Sequence, residues 1–118
     1  MGVNFKILES SSSGNAGLLE VEGAKILIDA GLSARKIMNQ LSLQKMSIEE
    51  LDAIFLTHEH NDHSAGIRGL SKFQNLPIFA NRDTIQAVQS KLQRKPNWKQ
   101  FETGKSFEFK SLKIHPFS

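Results

Sequence analysis

Three of the four histidines in this 118-residue chain fall within six positions, in Thr57-His58-Glu59-His60-Asn61-Asp62-His63. Imidazole nitrogen and carboxylate oxygen are suitable ligands for zinc, manganese or iron. His58 and His60 are two apart, so an extended backbone points both the same way. The neighbours Asp62 and His63 can point differently and address a second position. Four ligand-type side chains in one short segment concentrate polarity that needs partners, and a divalent cation would supply them. The plain alternative is a solvated His-rich turn. An expression-tag remnant does not fit an internal segment that directly follows a strand-like run.

That run is Leu51-Asp52-Ala53-Ile54-Phe55-Leu56-Thr57, which reads as a buried strand with the His-rich segment at its end. Ligands in α/β sheets usually bind at the carboxyl edge of the strands. The elements around it follow the same layout. Val3 to Leu8 roughly alternates and predicts a strand, and Ser10 to Asn15 predicts a loop. Leu18–Val21 and Lys25–Asp29 are apolar runs separated by a gap short enough for a β-hairpin. The second run ends in Asp29-Ala30-Gly31, which puts a carboxylate at a strand's carboxyl edge.

Ser33 is placed to cap a helix over about 34–41, with Ile37, Met38 and Leu41 on its buried face. Ser47-Ile48-Glu49-Glu50 has capping-box spacing. A helix is expected over 64–74, a strand over 77–80 and a helix from Asp83 to about 93, faced by Ile85, Val88 and Leu92. Lys91, Arg94 and Lys95 sit where the dipole at that helix's end favours cations. One or two short strands are expected between Phe107 and Phe117. The order is that of a mixed α/β domain.

Composition narrows the function classes. The length suits one domain. The absence of cysteine excludes a disulfide scaffold, thiolate metal centres and a cysteine nucleophile. No apolar run is long enough to span a bilayer, so no membrane partner is expected, and the expected setting is the cytoplasm. Charge is uneven. Residues 1–63 hold 5 basic and 9 acidic groups, and residues 64–118 hold 10 basic and 3 acidic. The basic second half could face a nucleic-acid backbone, although on charge alone a solvated surface is the plainer reading. One Trp and no Tyr give little support for stacking on single-stranded bases.

The segment His58-Glu59-His60-Asn61-Asp62-His63 resembles the HxHxDH signature of the metallo-β-lactamase superfamily. The flanking Ser11-Ser12-Ser13-Gly14-Asn15-Ala16, Ile26-Leu27-Ile28-Asp29-Ala30-Gly31-Leu32-Ser33 and Leu51 to Thr57 are similar to its YycJ/WalJ-type branch. The resemblance implies the N-terminal half of an αββα sandwich, so that residues 1–118 form a single, incomplete domain. It implies a metal-dependent hydrolase with two divalent metal ions, zinc or manganese. His58 and His60 would hold one, Asp62 and His63 the other, and water activated between them would attack phosphorus or an acyl carbon. Asp62, His63 and Asp29 are the implied catalytic group, with Asp29 orienting the metal-binding loop. Ser12, Ser13 and Asn15 would approach from the facing loop, and Glu59 would face away.

By the same resemblance, further ligands lie beyond the segment. His115 is placed too early to be one of them and is expected to be a packed or exposed histidine. Partial or weak metal occupancy follows for these 118 residues. The branch suggests phosphodiester substrates, with double-stranded DNA exonuclease activity and a place in DNA repair. Thioester or lactam hydrolysis on the same fold is one alternative. A catalytically inactive fragment that binds metal or a partner is another. An unpaired sheet face would be an apolar patch, covered by self-association or by the missing half of the domain.

Overall fold

The computed structural model describes residues 3–11, 14–57 and 64–116. A six-stranded sheet runs in the order β1 (Val3–Ser11), β2 (Gly14–Val21), β3 (Ala24–Ile28), β4 (Ala53–Phe55), β5 (Pro77–Asn81) and β6 (Asn97–Phe101). β1, β2 and β3 pair antiparallel, and β3 to β6 pair parallel. A separate antiparallel pair, β7 (Phe107–Phe109) and β8 (Leu112–Ile114), completes the strands. Among the described residues the helices include α1 (Ala34–Leu43), α2 (Ile67–Leu70) and α3 (Arg82–Gln89), with a 3-10 turn over Ile48–Glu50. This is the mixed sheet with flanking helices that the sequence implied.

The local signals act as expected where a specific residue sets them. Glu22 and Gly23, with φ of 50° and 82°, make the two-residue turn between β2 and β3. Positive φ at both positions matches the twist of a tight hairpin. Ser33 caps α1 by accepting the Lys36 N–H, and the Ser47 N–H donates to the Glu50 carboxylate at 2.8 Å. Ile37 and Leu41 are buried on α1, whereas Met38 is half-buried against the core.

Other elements differ from expectation. Ser10 and Ser11 are strand residues, paired with Asn15 and Gly14, so the expected loop is a hairpin end. Ladder pairing there outweighs the turn preference of serine, and an irregularity between Ile7 and Glu9 absorbs the register change. Of the helix expected over 64–74, Ser64 is helical and α2 forms after a turn at residues 65–66. Two glycines, Gly66 and Gly69, weaken it, and Ser71 ends it by donating its hydroxyl to the Arg68 carbonyl. α3 starts at Arg82, capped by Asn81 accepting the Thr84 N–H, and stops at Gln89, so Lys91 to Lys95 lie beyond it. β6 carries no apolar alternation in its sequence. Pairing along β5 makes it a strand.

Alternation puts two apolar sets on opposite faces of the sheet. Leu18, Leu27, Ile54, Ile78 and Ala80 face the helices, where they pack with Ile37, Leu41, Ile67, Leu70 and Val88 into one core. Burying each such Leu or Ile contributes about 1.5–3 kcal/mol. On the other face, Phe55, Phe79 and Phe101 meet Phe107 and Phe109 of the β7–β8 hairpin, with ring centroids 5.2–6.1 Å apart across the layers. Lys110 ties the hairpin turn to Asp52 at 3.1 Å. This cover stops short of β1. Val3, Phe5 and Ile7 are 72%, 52% and 66% exposed. Phe5 lies over Gly17, where a Cβ would meet its ring at 2.6 Å. The bare face expected from sequence is therefore covered at β4–β6 and open at β1.

Candidate metal-binding loop cluster

Four chain segments converge where β3 and β4 end. Asp29 follows β3 and is 6% exposed. Its φ of 63° is left-handed, a region that Asp tolerates better than most residues because its short side chain can hydrogen-bond locally. The turn aims the carboxylate across to the end of β4. Oδ1 accepts the Thr57 N–H at 2.8 Å, and the Thr57 hydroxyl reaches Oδ1 at 2.9 Å and Oδ2 at 2.7 Å. The Asp29 N–H donates to the Phe55 carbonyl at 2.8 Å, extending the β3–β4 pairing by one rung. Thr57 is thus held at backbone and side chain directly before His58.

The neighbouring loops lock onto the same turn. The Gly31 N–H donates to the Asn15 carbonyl at 2.9 Å, and the Gly66 N–H to the Ala30 carbonyl at 2.6 Å. Gly66 is sterically required there, since a Cβ would meet the Leu32 carbonyl oxygen and would lie 3.0 Å from that of Ala30. Asp29-Ala30-Gly31 therefore clasps both ends of the intervening segment, Thr57 on entry and Gly66 on exit. The buried Ser64 lies between that segment and Gly66.

His58, Glu59, His60, Asn61, Asp62 and His63 lie outside the described residues, as do Ser12 and Ser13. Among the described residues, no group of three or more His, Asp or Glu side chains could hold a metal ion. His115 is exposed at the end of β8, with Nδ1 2.7 Å from the Ser106 hydroxyl. Asn15 joins the cluster through its carbonyl. Sequence reasoning passed over Gly66, whose contact with Ala30 no local pattern shows. Imidazole and carboxylate are a donor set that fits zinc or manganese, and the clasp fixes where their segment begins and ends.

Comparison with known proteins gives a consistent placement. Residues 24–118 match the family model described as a beta-lactamase superfamily domain. The exodeoxyribonuclease WalJ of Streptococcus pneumoniae (serotype 2, strain D39) is 40% identical over 99% of this chain and 45% of its own length. The exodeoxyribonuclease YycJ of Bacillus anthracis is 35% identical over 75% of this chain and 34% of its own length. The chain thus spans less than half the length of either relative. A subclass B3 metallo-β-lactamase with an active-site glutamic acid superposes with a TM-score of 0.72 at 16% identity, over 89% of this chain and 45% of that one, a likeness of fold. Among the described residues, no helix is long and apolar enough to cross a membrane. The chain belongs to the beta-lactamase superfamily, with the metallo-β-lactamase fold and homology to WalJ/YycJ-type hydrolases.

Proposed function

We propose that this chain carries the metal-ligand segment of a metal-dependent phosphodiesterase acting on double-stranded DNA from an end. Homology to WalJ/YycJ-type hydrolases supports a nuclease or hydrolase function at family level. The observation that carries the finer reading is the Asp29 clasp on Thr57, which holds the residue directly before His58. In this reading His58 and His60 bind one divalent cation, zinc or manganese, and Asp62 and His63 bind a second. The cations would supply Lewis acidity and lower the pKa of a bound water.

The chain's own contribution is positional. Asp29 holds Thr57 directly before His58, and the Ala30 carbonyl holds Gly66 three residues after His63. Asp29 is then a positioning residue, while Asp62 and His63 touch the reacting centre. The reading treats residues 1–118 as a single domain. The open face at Val3, Phe5 and Ile7 supports a cover there, from a second copy or from further residues of that domain. It also carries a cytoplasmic location, where a bacterial relative would meet DNA.

The test is turnover of end-labelled duplex DNA with manganese or zinc, beside a thioester and a lactam. Stepwise loss of nucleotides from duplex ends, abolished in His58→Ala, is expected. Thioester or lactam turnover without DNA cleavage would replace the reading. Absence of all three from a folded, metal-loaded chain would favour the inactive alternative.

A further inference from the structure

The helical face carries a second feature, away from the Asp29 clasp. α2 and the segment after α3 enclose an open cleft of about 490 Å³, lined by Arg68, Ser71, Lys72, Lys91, Gln93 and Arg94 together with Gly69 and Leu92. Among the described residues that line it, four are cations and none is a carboxylate. Between Ser64 and Phe101 the sequence has seven basic residues and a single acidic one, Asp83, whose side chain lies 3.9 Å from Arg82. Arg68, Lys72 and Arg94 have no acidic side chain beside them among the described residues that line the cleft. Like charges held together on a folded surface repel, and a cleft focuses their field toward an incoming anion.

The walls are tied in place. Arg68 Nη2 reaches the Lys91 carbonyl at 3.5 Å across the cleft. Gln74 Nε2 donates to the Ser71 carbonyl at 2.8 Å and the Lys95 carbonyl at 3.1 Å, joining the end of α2 to the chain beyond α3. Lys72 lies over the Phe73 ring, 5.3 Å from its centroid. The four cations are exposed and spread along the cleft. A compact anion is usually gripped by convergent backbone N–H groups or buried donors. A row of exposed cations instead suits an extended polyanion with repeating charge.

We propose that this cleft binds the phosphate backbone of duplex DNA, as a holding site built on α2 and the segment after α3. The proposal rests on the phosphodiester reading above. It deepens that reading by giving the substrate a second point of attachment, five to nine residues along the chain from His63 at Arg68 and Lys72, and on the segment after α3. Such contacts position a duplex without reading its sequence.

The test uses the whole chain in EDTA, so that cleavage plays no part, and follows binding of a fluorescent duplex by anisotropy at increasing salt. Three to four phosphate contacts predict that affinity falls about 40- to 150-fold between 50 and 200 mM salt. The triple variant Lys72→Gln, Lys91→Gln, Arg94→Gln should retain about a fourfold dependence and bind more weakly at low salt. A control with the same charge change, Lys99→Gln on β6, Lys105→Gln between β6 and β7, and Lys113→Gln on β8, should behave as wild type. Thermal unfolding checks each fold, and the single reversals Lys72→Glu and Arg94→Glu serve if a triple variant fails to fold.

Equal weakening in both triple variants would reduce the effect to net charge and overturn the proposal. So would absence of duplex binding by the wild type at low salt, or binding of phosphatidylglycerol vesicles in preference to DNA. Duplex binding through the cleft without any nuclease turnover would leave this proposal standing and remove the catalytic one.

Discussion

Replacing Asp29 separates the two things this residue does. It accepts two Thr57 donors, and it occupies a left-handed backbone position at φ 63°. A hydrogen bond to a charged group contributes about 1.5–3 kcal/mol. Thr57 is exposed, so water can take over part of the loss, and the low end applies. An alanine in the left-handed region costs a further 1–2 kcal/mol or so. Asp29→Ala should therefore destabilise by about 3 kcal/mol. Asp29→Gly loses the same side-chain bonds but not the backbone comfort, and should lose roughly 1 kcal/mol less. Asp29→Asn keeps an acceptor and tolerates the turn, so about 1 kcal/mol is expected. Urea unfolding followed by circular dichroism and Trp98 fluorescence measures all three. Alanine within about 0.5 kcal/mol of wild type, the scatter of an ordinary surface change, would refute the clasp. Alanine and glycine costing the same would refute the backbone part.

Further outcomes follow from other contacts. Gly66→Ala drives a Cβ into the Leu32 and Ala30 carbonyls, and should cost about 1–3 kcal/mol in the same urea assay. Phe107→Ala removes ring contacts to Phe79 at 5.6 Å and Phe101 at 5.4 Å. A loss of about 2 kcal/mol is expected, below the usual fully buried Phe value, with faster amide exchange over Leu112–Ile114. The Ser47 N–H, with Lys25 beside it, holds the Glu50 carboxyl below the usual glutamate value. A lowered folded-state pKa gives stability that is complete above the unfolded-state value and lost as pH falls through the folded one. Glu50→Gln should therefore unfold at lower temperature than wild type at neutral pH, with the gap closing on acid titration.

The sequence was legible where one residue carries a steric or capping instruction. Ser33, Ser47 and the Glu22-Gly23 turn each set an element that forms as expected, and Asp29 ends its strand pointing to the next one. Elements set by distant packing were harder to see. β6 has no internal pattern and exists because β5 offers it an edge. α2 is shorter than its apolar spacing implies, since Gly66 and Gly69 serve close packing against Leu32 and Ala34 rather than helix propensity. The aromatic cover of Phe107 and Phe109 over Phe55 and Phe79 joins positions some thirty to fifty residues apart, which no local pattern shows. The concentration of donor side chains at His58, His60, Asp62 and His63 is visible in the sequence, and these residues lie outside the described ones. The clasp that brackets them needed coordinates, because Gly66 and Ala30 meet only in three dimensions.

In the proposed reading, the segment between Thr57 and Ser64 is a divalent-cation site whose entry Asp29 holds. Thermal unfolding with and without added manganese or zinc, in wild type, His60→Ala and Asp29→Asn, tests it most directly. The account predicts a metal-dependent rise in the wild-type midpoint, its loss in His60→Ala, and a higher metal concentration for half-effect in Asp29→Asn. The same metal-dependent rise in wild type and His60→Ala, or none in wild type, would contradict it.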